Sequence, residues 1–299
     1  MMALGIKPGD EIITTPFTFV ATTETIALLG AVPVYVDIDP KTFNIDPEKI
    51  EAKLTSKTKA IMPVHLYGQP AEMDRIMEIA KKHNLYVIED AAQAMGAKYH
   101  DKMICTIGDI GCISFYPSKN LGAFGDAGML TTESDDLAEK IRMIISHGSK
   151  KKYYHETLGV NSRLDSIQAA ILDVKLKHLD EYCDARNQAA RKYNERLKDH
   201  VEVPYVMPGV KHIYHQYSIR GKNRNGMQEF LKENGIPSMI YYPVPLHLQE
   251  AYKYSYTKGD YPVSEEIAED IISLPMHTQL DDRQIDFISG KVIEFLKNN

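Results

Sequence analysis

Short apolar runs ending in turn-forming residues alternate with segments of helical period along the first half of the chain. Glu11 to Thr15, Val32 to Val36, Ala60 to Val64 and Leu85 to Asp90 read as strands, the last a nearly continuous apolar stretch (LYVIED) that closes on two carboxylates. Between them, Val20 to Leu29, Pro47 to Leu54 with Asp46 as its cap, and Ala71 to His83 read as helices. Strands apolar on both faces and joined by helical crossovers predict a mainly parallel sheet. Ligands in such folds sit at the carboxyl ends of the strands.

Gly111 to Tyr116 is a further buried strand, followed by a turn at Pro117-Ser118, then Lys119 and a stretch spaced by Gly122, Gly125 and Gly128. Gly128 to Thr132 and a helix from Asp135 to Ile145 come next. A basic segment (His147 to Tyr154) precedes GVNSRLDSIQAAIL (Gly159 to Leu172), and helical period continues to roughly Lys198. Beyond it the elements shorten: a strand at His215 to Arg220, a helix at Asn225 to Asn234, a Pro-Tyr-rich loop from Tyr241 to Leu248, and a closing helix from Asp282 to Leu296. The pattern divides into a large cofactor-binding domain, residues 1–185, and a smaller α+β domain, residues 186–299, with the boundary inside the long helix.

Composition changes this picture little. A chain of 299 residues with ordinary composition can bury a large core, and a net charge of −6 gives no basic footprint for nucleic acid. The three cysteines, Cys105, Cys112 and Cys183, lack the spacing of a disulfide framework or a zinc site, which fits a reducing cytoplasm. No metal is expected. The longest mainly apolar run, Ile26 to Val36, contains Gly30 and Pro33 and is too short to span a bilayer, so no membrane partner is expected.

The candidate chemistry lies at the strand ends. A lysine at the end of an apolar strand is either solvated there or held as a nucleophile, since a desolvated amine loses its proton more readily and attacks an aldehyde. Asp90 is either a helix cap or, beside Lys119, the acid that keeps a pyridine ring protonated while lysine holds the aldehyde as an imine. Pyridoxal phosphate requires that pair.

EDAAQAMGA (Glu89 to Ala97) and SFYPSKNLGAFGDAG (Ser114 to Gly128) occur in order with PFTFVATTETI (Pro16 to Ile26), PVHLYGQ (Pro63 to Gln69) and GVNSRLDSIQAAIL. With these motifs the chain resembles the DegT/DnrJ/StrS-type sugar aminotransferases, a family of α/β, fold-type-I pyridoxal phosphate enzymes, over nearly its whole length. The resemblance implies a cytoplasmic homodimer with shared active sites that moves an amino group, from L-glutamate, to a nucleotide-linked keto-sugar. It implies that Lys119 carries pyridoxal 5'-phosphate and shuttles the proton, that Asp90 pairs with the pyridine nitrogen, and that Gln93 reaches the ring hydroxyl. Ser114 would bond the phosphate, Phe19 would stack on the ring, and Asn161 and Arg163 would extend into the partner's site. Other roles for these are a small buried strand residue, plain core, and an ion pair of Arg163 with Asp165 or Glu156. His65, Tyr242 and His247 would line the sugar pocket, against a satisfied core histidine for the first and turn packing around Pro243 and Pro245 for the others. The Lys150-Lys151-Lys152 run is a solvated face or a neighbour of the nucleotide diphosphate.

NSRLDSIQAAILDVKLKHLD (Asn161 to Asp180) is more similar to members that aminate a 3-keto sugar than to those acting on a 4-keto sugar, which more often read NYR at this place. Two alternatives are a sugar dehydratase of the same fold, whose members carry histidine where Lys119 stands, and a non-catalytic regulator or sensor. The opening, MMALGIKPGDEIITT, reads as the tail of a helix, a loop and a strand. Family members carry an earlier Gly-Thr-Ser/Ala-Ala-Leu turn that cradles the cofactor phosphate, so the expectation is a chain that lacks the N-terminal segment and retains cofactor weakly.

Overall fold

The computed structural model describes residues 1–252 and 256–298. At its centre lies a six-stranded sheet formed by β1 (Glu11–Thr14), β2 (Val32–Tyr35), β3 (Thr58–Ile61), β4 (Tyr86–Asp90), β5 (Ile110–Ser114) and β6 (Gly128–Thr131), in the order β2-β1-β3-β4-β5-β6. β1 to β5 are parallel neighbours and β6 runs antiparallel to β5, so the sheet is mixed but mostly parallel. The register sets Asp90 beside Cys112 and Ser114 beside Gly128. Three chemically distinct strand ends therefore meet at one place.

The helices follow from local chemistry. α1 (Val20–Leu28) leaves the Pro16-to-Phe19 stretch, and α2 (Met73–His83) stops where Asn84 turns left-handed at φ 54°, with Lys81, Lys82 and His83 in its last turn. α3 (Asp135–Ile144) starts on Ser134, whose hydroxyl accepts the Leu137 N–H at 3.3 Å. The predicted helix over Pro47 to Leu54 is instead a pair of 3-10 turns, Pro47–Lys49 and Glu51–Lys53. Asp46 does cap the first by accepting from the Glu48 N–H, but the segment is too short to pay the cost of nucleating a longer helix. The opening Met2–Leu4 is likewise a single 3-10 turn, closed by Gly5 at φ 73°.

The long helical stretch is broken. α4 (Ser166–Leu176) and α5 (Leu179–Leu197) are separated at Lys177 and His178, where His178 takes φ −108°, ψ 5°. After α5, the antiparallel pair β7 (Tyr217–Arg220) and β8 (Ile271–Leu274) packs with α5, α6 (Arg224–Glu233) and α8 (Asp282–Asn298) around Tyr193, Tyr217, Met227, Leu231, Ile285 and Val292. α7 (Pro262–Asp270) reaches back to the first sheet. Pro262 opens it, and Asp37, just past β2, accepts from the Val263 and Ser264 N–H groups at 3.0 and 2.9 Å. A carboxylate at a helix start satisfies donors that have no partner within the helix. Ile267, Ala268 and Ile271 complete the anchor by packing with Phe17, Ile38 and Leu66.

The three thiols are free. Burial pushes that of Cys183 up to about 11 and that of Cys112 up to about 12, so neither is a thiolate at neutral pH. No helix among the described residues is long and apolar enough to cross a membrane.

Candidate active site

A cleft of about 1250 Å³ opens at the carboxyl ends of β4 and β5, and Lys119, Asp90, Gln93, Ser114, Phe19, Asn161 and Arg163 all line it. Lys119 is delivered by a tight turn in which its N–H returns to the Tyr116 carbonyl at 2.8 Å, with Pro117 at the position where its fixed φ favours such a turn. At Gly122 an added Cβ would lie 2.4 Å from the Pro117 carbonyl oxygen, so the chain can double back only with glycine there. The Lys175 ammonium donates to the Gly122 carbonyl, and Asn120 Nδ2 donates to the Ile213 carbonyl at 3.2 Å. The turn that carries Lys119 is thus tied to α4 and to the 212–215 segment. Burial draws the Lys119 amine below the usual lysine range, against the opposing pull of the Asp90 charge. A larger neutral fraction makes a better nucleophile.

The cap reading of Asp90 has a counterpart among its hydrogen bonds. Its Oδ1 accepts the Ala92 N–H at 3.1 Å, as a cap would, although a turn follows rather than a helix. Oδ2 accepts the Thr22 hydroxyl at 2.7 Å. Gln93 Oε1 accepts the Tyr67 N–H at 2.7 Å, which fixes the amide so that Nε2 is the outward donor. That Nε2 donates to the Tyr242 hydroxyl at 2.9 Å and keeps one further N–H. Ser114 Oγ accepts the Tyr116 N–H at 3.2 Å, leaving its own proton for an anionic oxygen. Phe19, at the N-cap position of α1, is 55% exposed within the cleft, and its ring centroid lies 6.3 Å from that of Tyr242. An aromatic face left open beside a carboxylate and an amine suits a flat ring.

The arrangement differs from expectation at several residues. His65 does not line the cleft. It is fully buried, its Nδ1 accepts the Ala71 N–H at 3.0 Å, and its Nε2 lies 3.1 Å from Glu89 Oε2. Alternation along β4 explains this: Asp90 faces the cleft, so Glu89 points the other way into the interior and needs partners there. It finds four, His65 and the N–H groups of Cys105, Ile107 and Gly108. Burial opposes the Glu89 charge, but these bonds outweigh it and hold the carboxyl below its usual range. His247 is also fully buried and outside the cleft, with Nε2 2.9 Å from Glu265 Oε1 and its ring 4.8 Å from that of Tyr261. Tyr242 does not itself line the cleft but stands behind two residues that do, accepting from Gln93 and lying beside the Phe19 ring. Arg163 Nε donates to Asn161 Oδ1 at 3.2 Å, in place of an ion pair with Asp165 or Glu156, and both side chains are exposed on the cleft of their own chain. Lys150 pairs with Glu139 at 2.6 Å, while Lys151 and Lys152 lie over Tyr154 and Tyr153.

Several contributors escaped the sequence analysis, namely Thr18 and Thr22 beside Asp90, Asn120 and Lys175 on the Lys119 turn, and His215, whose Nδ1 lies 3.2 Å from Asn120 Oδ1. Only Thr22 had a signal: it stands three residues after Phe19, on the same helix face.

A mostly parallel α/β sheet with a desolvated lysine and an anchored carboxylate on one cleft is the framework of a pyridoxal phosphate transferase of fold type I. The chain belongs to the DegT/DnrJ/EryC1/StrS aminotransferase family, which it matches over residues 1–293. It is 52% identical to a pleiotropic regulatory protein of Geobacillus stearothermophilus, over 100% of this chain and 82% of that one. It is 48% identical to the UDP-2-acetamido-2-deoxy-3-oxo-D-glucuronate aminotransferase of Pseudomonas aeruginosa, over 96% of this chain and 80% of the relative. Among solved structures, DesV of S. venezuelae superposes with a TM-score of 0.96 at 39% identity, covering 99% of this chain and 81% of DesV.

Proposed function

We propose that the protein is a pyridoxal 5'-phosphate-dependent aminotransferase that moves an amino group from L-glutamate to a nucleotide-linked keto-sugar, with a 3-keto favoured over a 4-keto acceptor. The observation that carries this is the desolvated Lys119 amine on the same cleft as Asp90, Gln93, Ser114 and Phe19. When bound, pyridoxal phosphate supplies an electron sink for the carbon that loses its proton. Asp90 would hold the proton of the ring nitrogen, the free Gln93 N–H would meet the ring hydroxyl, and the Ser114 hydroxyl would donate to the phosphate. Phe19 would cover one ring face. Lys119 Nζ, once free, would carry the proton between the substrate carbon and the cofactor in each half-reaction, as general base and then general acid.

The preference for a 3-keto acceptor rests on NSRLDSIQAAILDVKLKHLD and on the similarity to the 3-oxo-glucuronate aminotransferase. A histidine at position 119 would have favoured the dehydratase. The regulatory alternative draws on the name of the Geobacillus relative, but a sensor has no need of a desolvated amine beside an anchored carboxylate. We infer a homodimer because Leu158, Val160, Leu164 and Ile167 expose apolar side chains beside Asn161 and Arg163. We also place the protein in the cytoplasm and divide it at residue 185, since the core cluster around Tyr193 and Tyr217 draws only on residues from Ala189 onward.

The test is spectroscopic. Protein loaded with pyridoxal phosphate should absorb at the wavelength of the lysine-bound cofactor, and glutamate should bleach that band. The aminated protein should then convert a 3-keto nucleotide sugar. A band that glutamate leaves untouched would support the regulator, and conversion of only a 4-keto sugar would overturn the regiochemistry.

A further inference from the structure

We propose that Thr22, backed by Thr18, is a positioning residue that holds the Asp90 carboxylate in the one orientation from which it can meet a protonated ring nitrogen. The main chain of Asp90 is fixed without it, since its N–H donates to the Pro63 carbonyl and its carbonyl accepts the His65 N–H, each at 2.9 Å. The side chain is another matter. With only the Ala92 N–H on Oδ1, the carboxylate would be held at one oxygen and free to swing the other. The Thr22 hydroxyl on Oδ2 at 2.7 Å supplies the second point and sets the carboxylate plane.

The direction of the relay is settled by chemistry. An ionised carboxylate only accepts, so Thr22 must donate to Asp90. Its oxygen then accepts, and Thr18, whose hydroxyl lies 2.9 Å away, is the donor. Thr18 and Thr22 are 2% and 3% exposed, so water does not compete for either hydroxyl. Hydrogen bonds in such a chain polarise one another, which strengthens the one that reaches the carboxylate. The same helix start carries Phe19, and the Thr22 N–H returns to the Phe19 carbonyl at 3.2 Å. One turn of backbone therefore places both the aromatic face and the carboxylate's anchor.

This inference rests on the pyridoxal phosphate assignment, and the experiment separates the two. Thr22→Val keeps the shape and removes the hydroxyl, whereas Thr22→Ser keeps the hydroxyl and removes the methyl. Cofactor-free wild type and both variants are titrated with pyridoxal phosphate, and the nitrogen resonance of ring-labelled cofactor is recorded on each complex. The expected result is a roughly tenfold weaker affinity for Thr22→Val and a shift of its ring-nitrogen resonance toward the unprotonated position, with Thr22→Ser close to wild type. Thr18→Val should move the resonance the same way by less. If Thr22→Val does not fold, Thr22→Ala against Thr22→Ser makes the same comparison. Wild-type affinity and resonance in Thr22→Val, or equal losses in the serine and valine variants, would assign Thr22 to helix packing and overturn the proposal. A wild type that binds no pyridoxal phosphate would overturn the cofactor assignment, and this inference with it.

Discussion

Gln93 Nε2 and the Tyr242 hydroxyl lie 2.9 Å apart, joining the turn after β4 to a loop almost 150 residues further along. Burial pushes the Tyr242 phenol above its ordinary range, so the hydroxyl keeps its proton at any pH of interest while accepting from Gln93. Tyr242→Phe takes away that acceptor and leaves a buried amide N–H without a partner. The expected cost is about 1–3 kcal/mol of stability, read as a lower melting temperature, together with a lower turnover rate because the Gln93 amide loses one of its two anchors. Steady-state kinetics with a parallel melting curve check it.

Lys119 is the only amine expected to form the covalent link. Lys119→Ala should abolish turnover, and so should Lys119→Arg, because a guanidinium is not a nucleophile at neutral pH. Borohydride reduction of the loaded wild type followed by peptide mapping gives the direct answer. A label on another lysine would remove Lys119 from the mechanism.

Asp90 and Lys119 are coupled in a direction that can be measured. The carboxylate charge raises the amine's proton affinity against the lowering by burial. Asp90→Asn removes the charge and keeps one oxygen for the Ala92 N–H, with the Thr22 hydroxyl turned to accept from the amide nitrogen, so the amine should deprotonate at lower pH. The rate at which a simple aromatic aldehyde modifies Lys119 should therefore rise with pH earlier in Asp90→Asn than in wild type. Transamination should move oppositely and fall steeply, because asparagine cannot hold the ring-nitrogen proton as a charged partner.

His212 predicts acid lability. Burial pushes it down to about 3, and its Nδ1 accepts the Tyr214 N–H at 2.9 Å, so the folded chain keeps it neutral. An unfolded histidine takes up a proton near pH 6.5. The unfolded state then binds more protons throughout the interval, and stability declines as pH falls from about 6.5 toward about 3. The slope from this one group is about 1.4 kcal/mol per pH unit. His215, also driven well down by burial, adds to it. His212→Asn can still accept from Tyr214 and should flatten the dependence, as denaturant midpoints between pH 7 and pH 4 would reveal.

The sheet was legible because its strands are short apolar runs with little ambiguity of period. The break between α4 and α5 was not, because helical periodicity runs unbroken through Leu176, Lys177 and His178 and carries neither glycine nor proline to mark it. At the site, Lys119 and Asp90 stood out because charged residues at the ends of buried strands need a reason. Thr22 did not, since a threonine in a helix is ordinary until the carboxylate beside it is seen. The misplacement of His65 has a recoverable cause. Adjacent carboxylates on one strand face opposite ways, so the inward one demanded a buried donor, and the histidine of PVHLYG was available to supply it.

The clasp between Asp37 and α7 has a consequence for how the chain is made. The carboxylate leaves the ribosome 226 residues before the Val263 N–H that it will bind. At about 5–20 residues per second, that separation is about 10–45 s of synthesis. Through that interval β2 and its neighbours can form, but the apolar surface of Phe17, Ile38 and Leu66 lacks the α7 residues that cover it. The nascent chain thus carries an exposed sticky patch for most of its synthesis, and a chaperone or a slow translating stretch would act with greatest effect on that half-built intermediate.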